Sequence, residues 1–259
     1  MRRGGNREVN ERKKFRQRRT ETIRSALFHL WQSPTVVGFF IGLSSVYISY
    51  HREETMWLLI PAVYVVATFY RIVFEVLLMI HVVQHKRGLW TWWHKVSDGV
   101  YLGSIPLEGL GHRESLVRDL RVTRVLAINN DFELVARTII GSPVHPSAWK
   151  KEDVSFEQIV SDDFIPPTFD KLHRGADIIH QTVSETGAGG DGGRIYVHCK
   201  SGIGRSASLV IAYLVKHKGM TVVDAHKLVK GVRPQIIGRR SRQYANLLDF
   251  EKDHRGDKL

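Results

Sequence analysis

The sequence predicts an α/β domain, a central and mostly parallel sheet flanked by helices, preceded by an N-terminal transmembrane helical hairpin. Three observations carry this. From Leu89 onward, short β-leaning runs alternate with segments of helical periodicity, the pattern of strands joined by crossover helices. Within residues 194–216 a strand-like run, a tight loop and a helix-like run follow one another directly. Ahead of residue 85, two apolar runs stand behind a basic tail. The expected division is a basic tail over residues 1–30, membrane-anchoring hydrophobic helices over 31–84 and the α/β domain over 85–259.

The tail comes first. Net charge is +12, and residues 1–24 hold ten Lys/Arg against three Glu. Such a tail suits nucleic acid, an acidic membrane surface or organelle targeting. It abuts an apolar region and lacks interleaved aromatics, so no nucleic-acid partner is expected. Residues 34–50 are uncharged and mostly apolar, at the short end of the about 17–25 residues that cross a bilayer. A second run over 56–83 is interrupted by Arg71 and Glu75, whose i, i+4 spacing lets them pair on a helix. Basic residues flank both outer ends (Arg24; Lys86, Arg87, Lys95), which places those ends on the cytosolic or matrix side. A single span with an interfacial helix and a pair of core helices are the alternatives to the hairpin. Trp90, Trp92 and Trp93 suit either an interfacial anchor or packing on the domain.

In the domain, residues 99–107 read as a strand and turn, 114–121 as a helix, and 122–128 as a buried strand ending at Asn129 and Asn130. A strand over 152–160 leads to Ser161-Asp162-Asp163. Phe169, Leu172, Ala176, Ile179 and Val183 share one face of a helix over 168–183. The glycine-rich stretch 187–193 lacks the Lys-Ser/Thr pair and following helix of a nucleotide loop, and reads as a flexible connection. Helices over 221–229 and 241–249 complete the domain.

The chemistry concentrates at His198-Cys199-Lys200-Ser201-Gly202-Ile203-Gly204-Arg205-Ser206. A strand, this loop and a helix place a cysteine below a ring of backbone amides at a helix N-terminus, where unpaired N–H groups and the helix dipole favour an anion. The same field lowers a thiol pKa, so Cys199 is expected as a thiolate near neutral pH. Lys200, Ser201, Gly202, Ile203, Gly204, Arg205 and Ser206 are the expected phosphate-binding residues, with Arg205 offering a planar fork to two oxygens. The glycines permit close backbone approach, and Ser206 can donate a hydrogen bond to the sulfur. Such a site needs a general acid on an upstream loop. Asp162 and Asp163, 37 and 36 residues before Cys199, are the candidates, with Asp162 preferred. Arg233, Arg239 and Arg240 suit either a second anion rim behind the loop or plain surface charge. Cys199 is the only cysteine, which excludes a disulfide framework and a Cys-based zinc site. The histidines lack metal-ligand spacing, so neither metal nor other cofactor is expected.

The H-C-x5-R-S pattern resembles the signature of the cysteine-dependent tyrosine and dual-specificity phosphatases. Within that superfamily, residues 90–250 resemble the mitochondrial phosphatidylglycerophosphate phosphatases. The likeness runs through Trp93-His94-Lys95, Val100-Tyr101-Leu102-Gly103-Ser104-Ile105-Pro106-Leu107, the run from Val125 to Asn129, Leu172-His173-Arg174-Gly175 and Tyr196-Val197-His198-Cys199-Lys200. Asn130-Asp131-Phe132-Glu133 stands at the place of that family's Glu-Glu-Tyr-Glu segment. The resemblance implies a dual-specificity-phosphatase-like fold, supporting roles for Glu133 and His198, and, by ungapped alignment back from Leu172, Asp162 as the acid. Ser201, Ile203 and Asn130 depart from the family pattern, and these departures bear on substrate rather than chemistry.

The expected protein is a membrane-anchored cysteine phosphatase acting on a lipid phosphomonoester, foremost phosphatidylglycerophosphate, through a phosphocysteine. Its partners would be the phospholipid and a membrane, most readily the mitochondrial inner membrane with the catalytic domain in the matrix, alternatively another intracellular membrane facing the cytosol. A membrane-bound dual-specificity protein phosphatase, a phosphoinositide phosphatase and an inactive phosphate-binding scaffold are the rival readings.

Overall fold

The computed structural model describes residues 56–185 and 192–256. The tail, the first apolar run of the expected hairpin and most of the glycine-rich connection lie outside them. The chain divides into two units, Met1–Ile72 and Val73–Leu259. Of the first, the described part is the opening of helix α1 (Met56–Lys86).

The second unit is built on one sheet. Its strands are β1 (Trp93–Ser97), β2 (Val100–Gly103), β3 (Arg124–Asn129), β4 (Ser155–Val160) and β5 (Ile195–His198), in the order β1-β2-β5-β3-β4. Every pairing is parallel except β1 with β2, so the sheet is mixed, with an antiparallel edge. The remaining helices are α2 (His112–Glu114), continued by a wider π turn (Ser115–Asp119), then α3 (Asp131–Val135), α4 (Pro146–Lys151), α5 (Phe169–Ser184), α6 (Arg205–Lys218), α7 (Val222–Val232) and α8 (Arg242–Gly256).

Alternation along the strands builds a core on each face. Leu126, Ile128, Ile195 and Val197 pack under α5 to α8, while Val125, Ala127 and Tyr196 point to the other side. The parallel register aligns Gly103 and Ala127 with His198, so the carboxyl ends of β2 and β5 finish at one level and β3 runs on to Asn129. The segments leaving those ends meet at one edge of the sheet, where open α/β sheets bind ligands.

At several places the structure differs from the sequence-based expectation or decides between its alternatives. Among the described residues no helix is long and apolar enough to cross a membrane. The end of α1, expected as the hairpin's second arm, belongs to the domain core: Phe74, Leu78 and Val82 repeat at i, i+4, i+8 and are buried with Trp92, Ile105 and Leu134. The tryptophan cluster packs on the domain, with Trp92 buried and its Nε1 donating to Ile105 O at 3.2 Å. Trp93 opens the unexpected strand β1. The strand expected from residue 152 begins at Ser155, because Pro146 starts a short helix that runs to Lys151.

Candidate active site

Cys199 follows β5 directly and is buried. Its Sγ accepts hydrogen bonds from Gly202 N at 3.2 Å and Ser206 Oγ at 3.3 Å. Burial works against a charged sulfur, but the Arg205 guanidinium and the Ser206 hydrogen bonds outweigh it, and the thiol pKa is lowered. His198, also buried, places Nδ1 3.3 Å from Cys199 O. A carbonyl can only accept, so that nitrogen carries the proton. Burial and then Arg205 hold His198 down to about 4, against a raising contribution from that hydrogen bond, and it stays neutral at physiological pH.

The loop's amides are aimed by the residues that stand behind it. Lys200 O accepts from Ile105 N at 3.1 Å, and Ser201 O from Ser104 Oγ at 2.9 Å and Arg233 Nη2 at 3.0 Å. Gly202 O accepts from Arg233 Nε at 2.8 Å, Ile203 O from Ile237 N at 3.0 Å and Gly204 O from Ser208 N at 2.9 Å. In a trans peptide the N–H points opposite to the C=O. Carbonyls satisfied from behind therefore turn the following amides inward, to the side where an anion would sit. Gly202 has φ 66, and a Cβ there would collide with Gly103 O and the Arg233 guanidinium, so only glycine fits.

Arg205 opens α6 and is buried. Glu133 holds it at both ends of the fork, Nη1 to Oε2 at 2.6 Å and Nη2 to Oε1 at 2.9 Å, and Nη1 also donates to Ser161 O at 2.9 Å. Burial alone would lower the Arg205 pKa, but Glu133 and the Cys199 thiolate raise it. Glu133 reaches this place through a capping box: Asn130 caps α3, and Glu133 reaches back to Asn130 N at 2.9 Å. The Asn-x-x-Glu spacing before an apolar turn is a sequence signal for that helix start. Arg205 Nε is buried with no hydrogen-bond partner among the described residues, a donor left for a phosphate oxygen.

The acid loop comes after β4. Asp162 is exposed and accepts from Asn130 Nδ2 at 2.7 Å, whereas Asp163 turns inward, with Oδ1 3.1 Å from Arg205 Nη2 and Oδ2 accepting from Lys200 Nζ. Lys200 is buried, its ammonium 5.2 Å from the Phe164 ring centre and 5.8 Å from that of Phe74. The structure thus brings together Cys199, Lys200, Arg205, Ser206, His198 and Glu133, and leaves Asp162 at the rim. Arg239 and Arg240 are exposed, and among the described residues Arg239 makes no hydrogen bond or ion pair.

Arg233, by contrast, is fully buried behind the loop. Besides the loop carbonyls it reaches Thr91 O at 3.1 Å and His94 Nδ1 at 3.1 Å. Burial lowers its pKa to about 10, partly offset by Tyr196 and Cys199, so it remains a cation. Ser104, Ile105, Ser161 and Ile237 join the site with no local sequence signal, since their partners are distant in the chain. Arg233→Met is expected to leave the buried Gly202 O without its side-chain donor, at about 1–3 kcal/mol, and Ser201 O with Ser104 Oγ alone. As a positioning residue it should lower kcat/KM on an aryl phosphate about a hundredfold and shift the pH profile of Cys199 alkylation upward. An unchanged alkylation profile would count against that role.

A depressed-pKa thiol under inward amides, with an arginine fork clamped by a buried glutamate, defines a cysteine-dependent phosphatase site. The family profile "Dual specificity phosphatase, catalytic domain" matches residues 128–253. Phosphatidylglycerophosphatase and protein-tyrosine phosphatase 1 of Mus musculus is 30% identical over 165 residues, 62% of this chain and 77% of that protein. The chain belongs to the dual-specificity phosphatase family. Phosphatidylglycerophosphate phosphatase PTPMT1 of Arabidopsis thaliana is 30% identical over 169 residues, 64% of this chain but only 45% of the relative's length. The crystal structure of PTPMT1 in complex with PI(5)P superposes with a TM-score of 0.54 at 28% identity, over 65% of this chain and 100% of that one.

Proposed function

We propose that the protein hydrolyses the phosphomonoester of an anionic phospholipid headgroup, foremost phosphatidylglycerophosphate to phosphatidylglycerol. The observation that carries the choice of lipid is Lys200, a buried cation beside the nucleophile that adds a second positive charge to Arg205. The relatives' names support it: the Arabidopsis protein is a phosphatidylglycerophosphate phosphatase, the mouse protein is named both phosphatidylglycerophosphatase and protein-tyrosine phosphatase, and PTPMT1 was crystallised with PI(5)P.

In the proposed reaction the Cys199 thiolate attacks phosphorus in line while Arg205, Lys200 and the loop amides hold the equatorial oxygens. The P–O bond to the headgroup breaks, and Asp162, at the rim and open to solvent, protonates the leaving oxygen. Its carboxylate then takes a proton from water, which attacks phosphorus, breaks the S–P bond and releases inorganic phosphate.

Membrane anchoring is part of the proposal. It rests on the uncharged run 34–50 and on α1, where Val76, Met79, Ile80 and Val83 stay exposed on the side away from Phe74, Leu78 and Val82. The mitochondrial inner membrane, catalytic domain in the matrix, is the proposed location, from the resemblance and the basic flanks.

The test is phosphate release by the full chain in mixed micelles containing EDTA. Phosphatidylglycerophosphate, a phosphoinositide and a phosphotyrosyl peptide are compared at equal concentration. A kcat/KM at least about a hundredfold higher for phosphatidylglycerophosphate, about 2.7 kcal/mol of discrimination, is expected. A preference for the peptide would reverse the substrate assignment and make apolar Ile203 the better guide.

A further inference from the structure

The acid loop carries one carboxylate more than the reaction uses. Asp162 and Asp163 are adjacent, yet Asp162 turns to Asn130 and solvent while Asp163 turns into the pocket. The Asp163 side chain is 14% exposed, and the two cations it contacts, Lys200 and Arg205, are 5% and 1% exposed. Phe164 comes next in the left-handed region, with φ 64, and lays its ring towards the same Lys200 ammonium. A left-handed conformation is unfavourable for phenylalanine, so the turn is held by its surroundings.

The contacts of Arg205 define the competition that Asp163 enters. Glu133 and Ser161 take the inner side of the guanidinium. On the outer side, the Asp163 carboxylate forms an ion pair with Nη2 at 3.1 Å, and Nε has no hydrogen-bond partner among the described residues. A phosphoryl group seated on the planar fork needs both Nε and Nη2, and its charge also draws on Lys200. It would meet the Asp163 carboxylate at two of those three donors, and two like charges cannot share them without large cost.

We infer that Asp163 is a latch, distinct from the proton donor: its carboxylate holds the phosphate's place in the free enzyme and must leave when substrate enters. The inference rests on the phosphatase reading and adds to it a filter on charge. A phosphomonoester dianion gains enough from Arg205, Lys200 and the amides to displace the carboxylate, whereas a singly charged phosphodiester gains less. Part of every anion's favourable contact offsets the loss of the Asp163 pairs, so the free site binds phosphate more weakly than its donors alone would allow.

The experiment measures competitive inhibition of aryl phosphate turnover by inorganic phosphate, with the full chain in detergent. Asp163→Asn removes the charge at nearly constant shape, and Asp163→Ser removes the carboxylate outright. Both are expected to lower the inhibition constant of phosphate about tenfold, and KM with it. Unchanged inhibition constants in the two folded variants overturn the latch. So does a kcat loss in Asp163→Asn confined to substrates with poor leaving groups and absent from Asp162→Asn, because Asp163 would then be the proton donor. Titration calorimetry with inorganic phosphate reads the same tenfold difference without turnover, so a failure of the latch and a failure of the phosphatase reading are separable.

Discussion

Cys199→Ser is expected to abolish phosphate release, a loss of about 10⁴-fold or more, while phosphate still binds. The reason is ionisation. The thiol is buried, which by itself would keep it neutral, but Arg205 and hydrogen bonding by Ser206 lower its pKa. A serine hydroxyl in the same place ionises so much less readily that the field sustaining a thiolate leaves it protonated. The sulfur accepts from Gly202 N and Ser206 Oγ, and an oxygen can accept both, so the loop should keep its form. Phosphate release on an aryl phosphate and calorimetric phosphate binding make the check. Metal-independent turnover by the serine variant near the native rate would remove Cys199 from its role.

Arg205→Lys carries the second large effect, about 10³-fold in kcat/KM, mostly in kcat. Charge is conserved, so any loss reports the geometry of the guanidinium. Two paired hydrogen bonds to Glu133, one to Ser161 O and the free Nε donor come from one rigid plane. An ammonium cannot serve the buried glutamate and a phosphoryl oxygen at once. Removing a donor aimed at developing charge costs about 10²–10³ in kcat, and the fork offers two. Glu133 is fully buried, and leaving its carboxylate half-paired should also lower thermal stability by a few kcal/mol, within the about 3–5 kcal/mol of a broken buried pair. Melting curves alongside kinetics separate the two losses. A lysine variant with native kcat would show that charge alone suffices.

How much was legible depends on the range of each interaction. The stretch from β5 through the loop into α6 is contiguous in sequence, and its strand-turn-helix form and its chemistry are encoded together in residues 194–216. The α5 helix was equally readable, because an apolar face repeating every three to four residues survives any tertiary context. Strand β1 was not, since it opens at Trp93, the end of an aromatic-rich run whose composition is the same at a bilayer surface and against a domain. The end of α1 shows the same ambiguity: apolar periodicity says that Phe74, Leu78 and Val82 are buried, not in which surroundings.

The sequence by itself determined the reacting groups: a lone cysteine, an arginine six residues on, glycines between them and an acid loop upstream. Only the tertiary structure decided how those groups are held and aimed. Arg233 lies 28 residues beyond Arg205, yet it hydrogen-bonds to Ser201 and Gly202 because α7 ends behind the loop. Which of two neighbouring aspartates faces the pocket depends on one turn of backbone, where Phe164 takes a positive φ that composition does not announce. Local pattern specifies elements and chemistry, whereas orientation is set by contacts between residues far apart in the chain. A sequence read one stretch at a time does not contain those contacts.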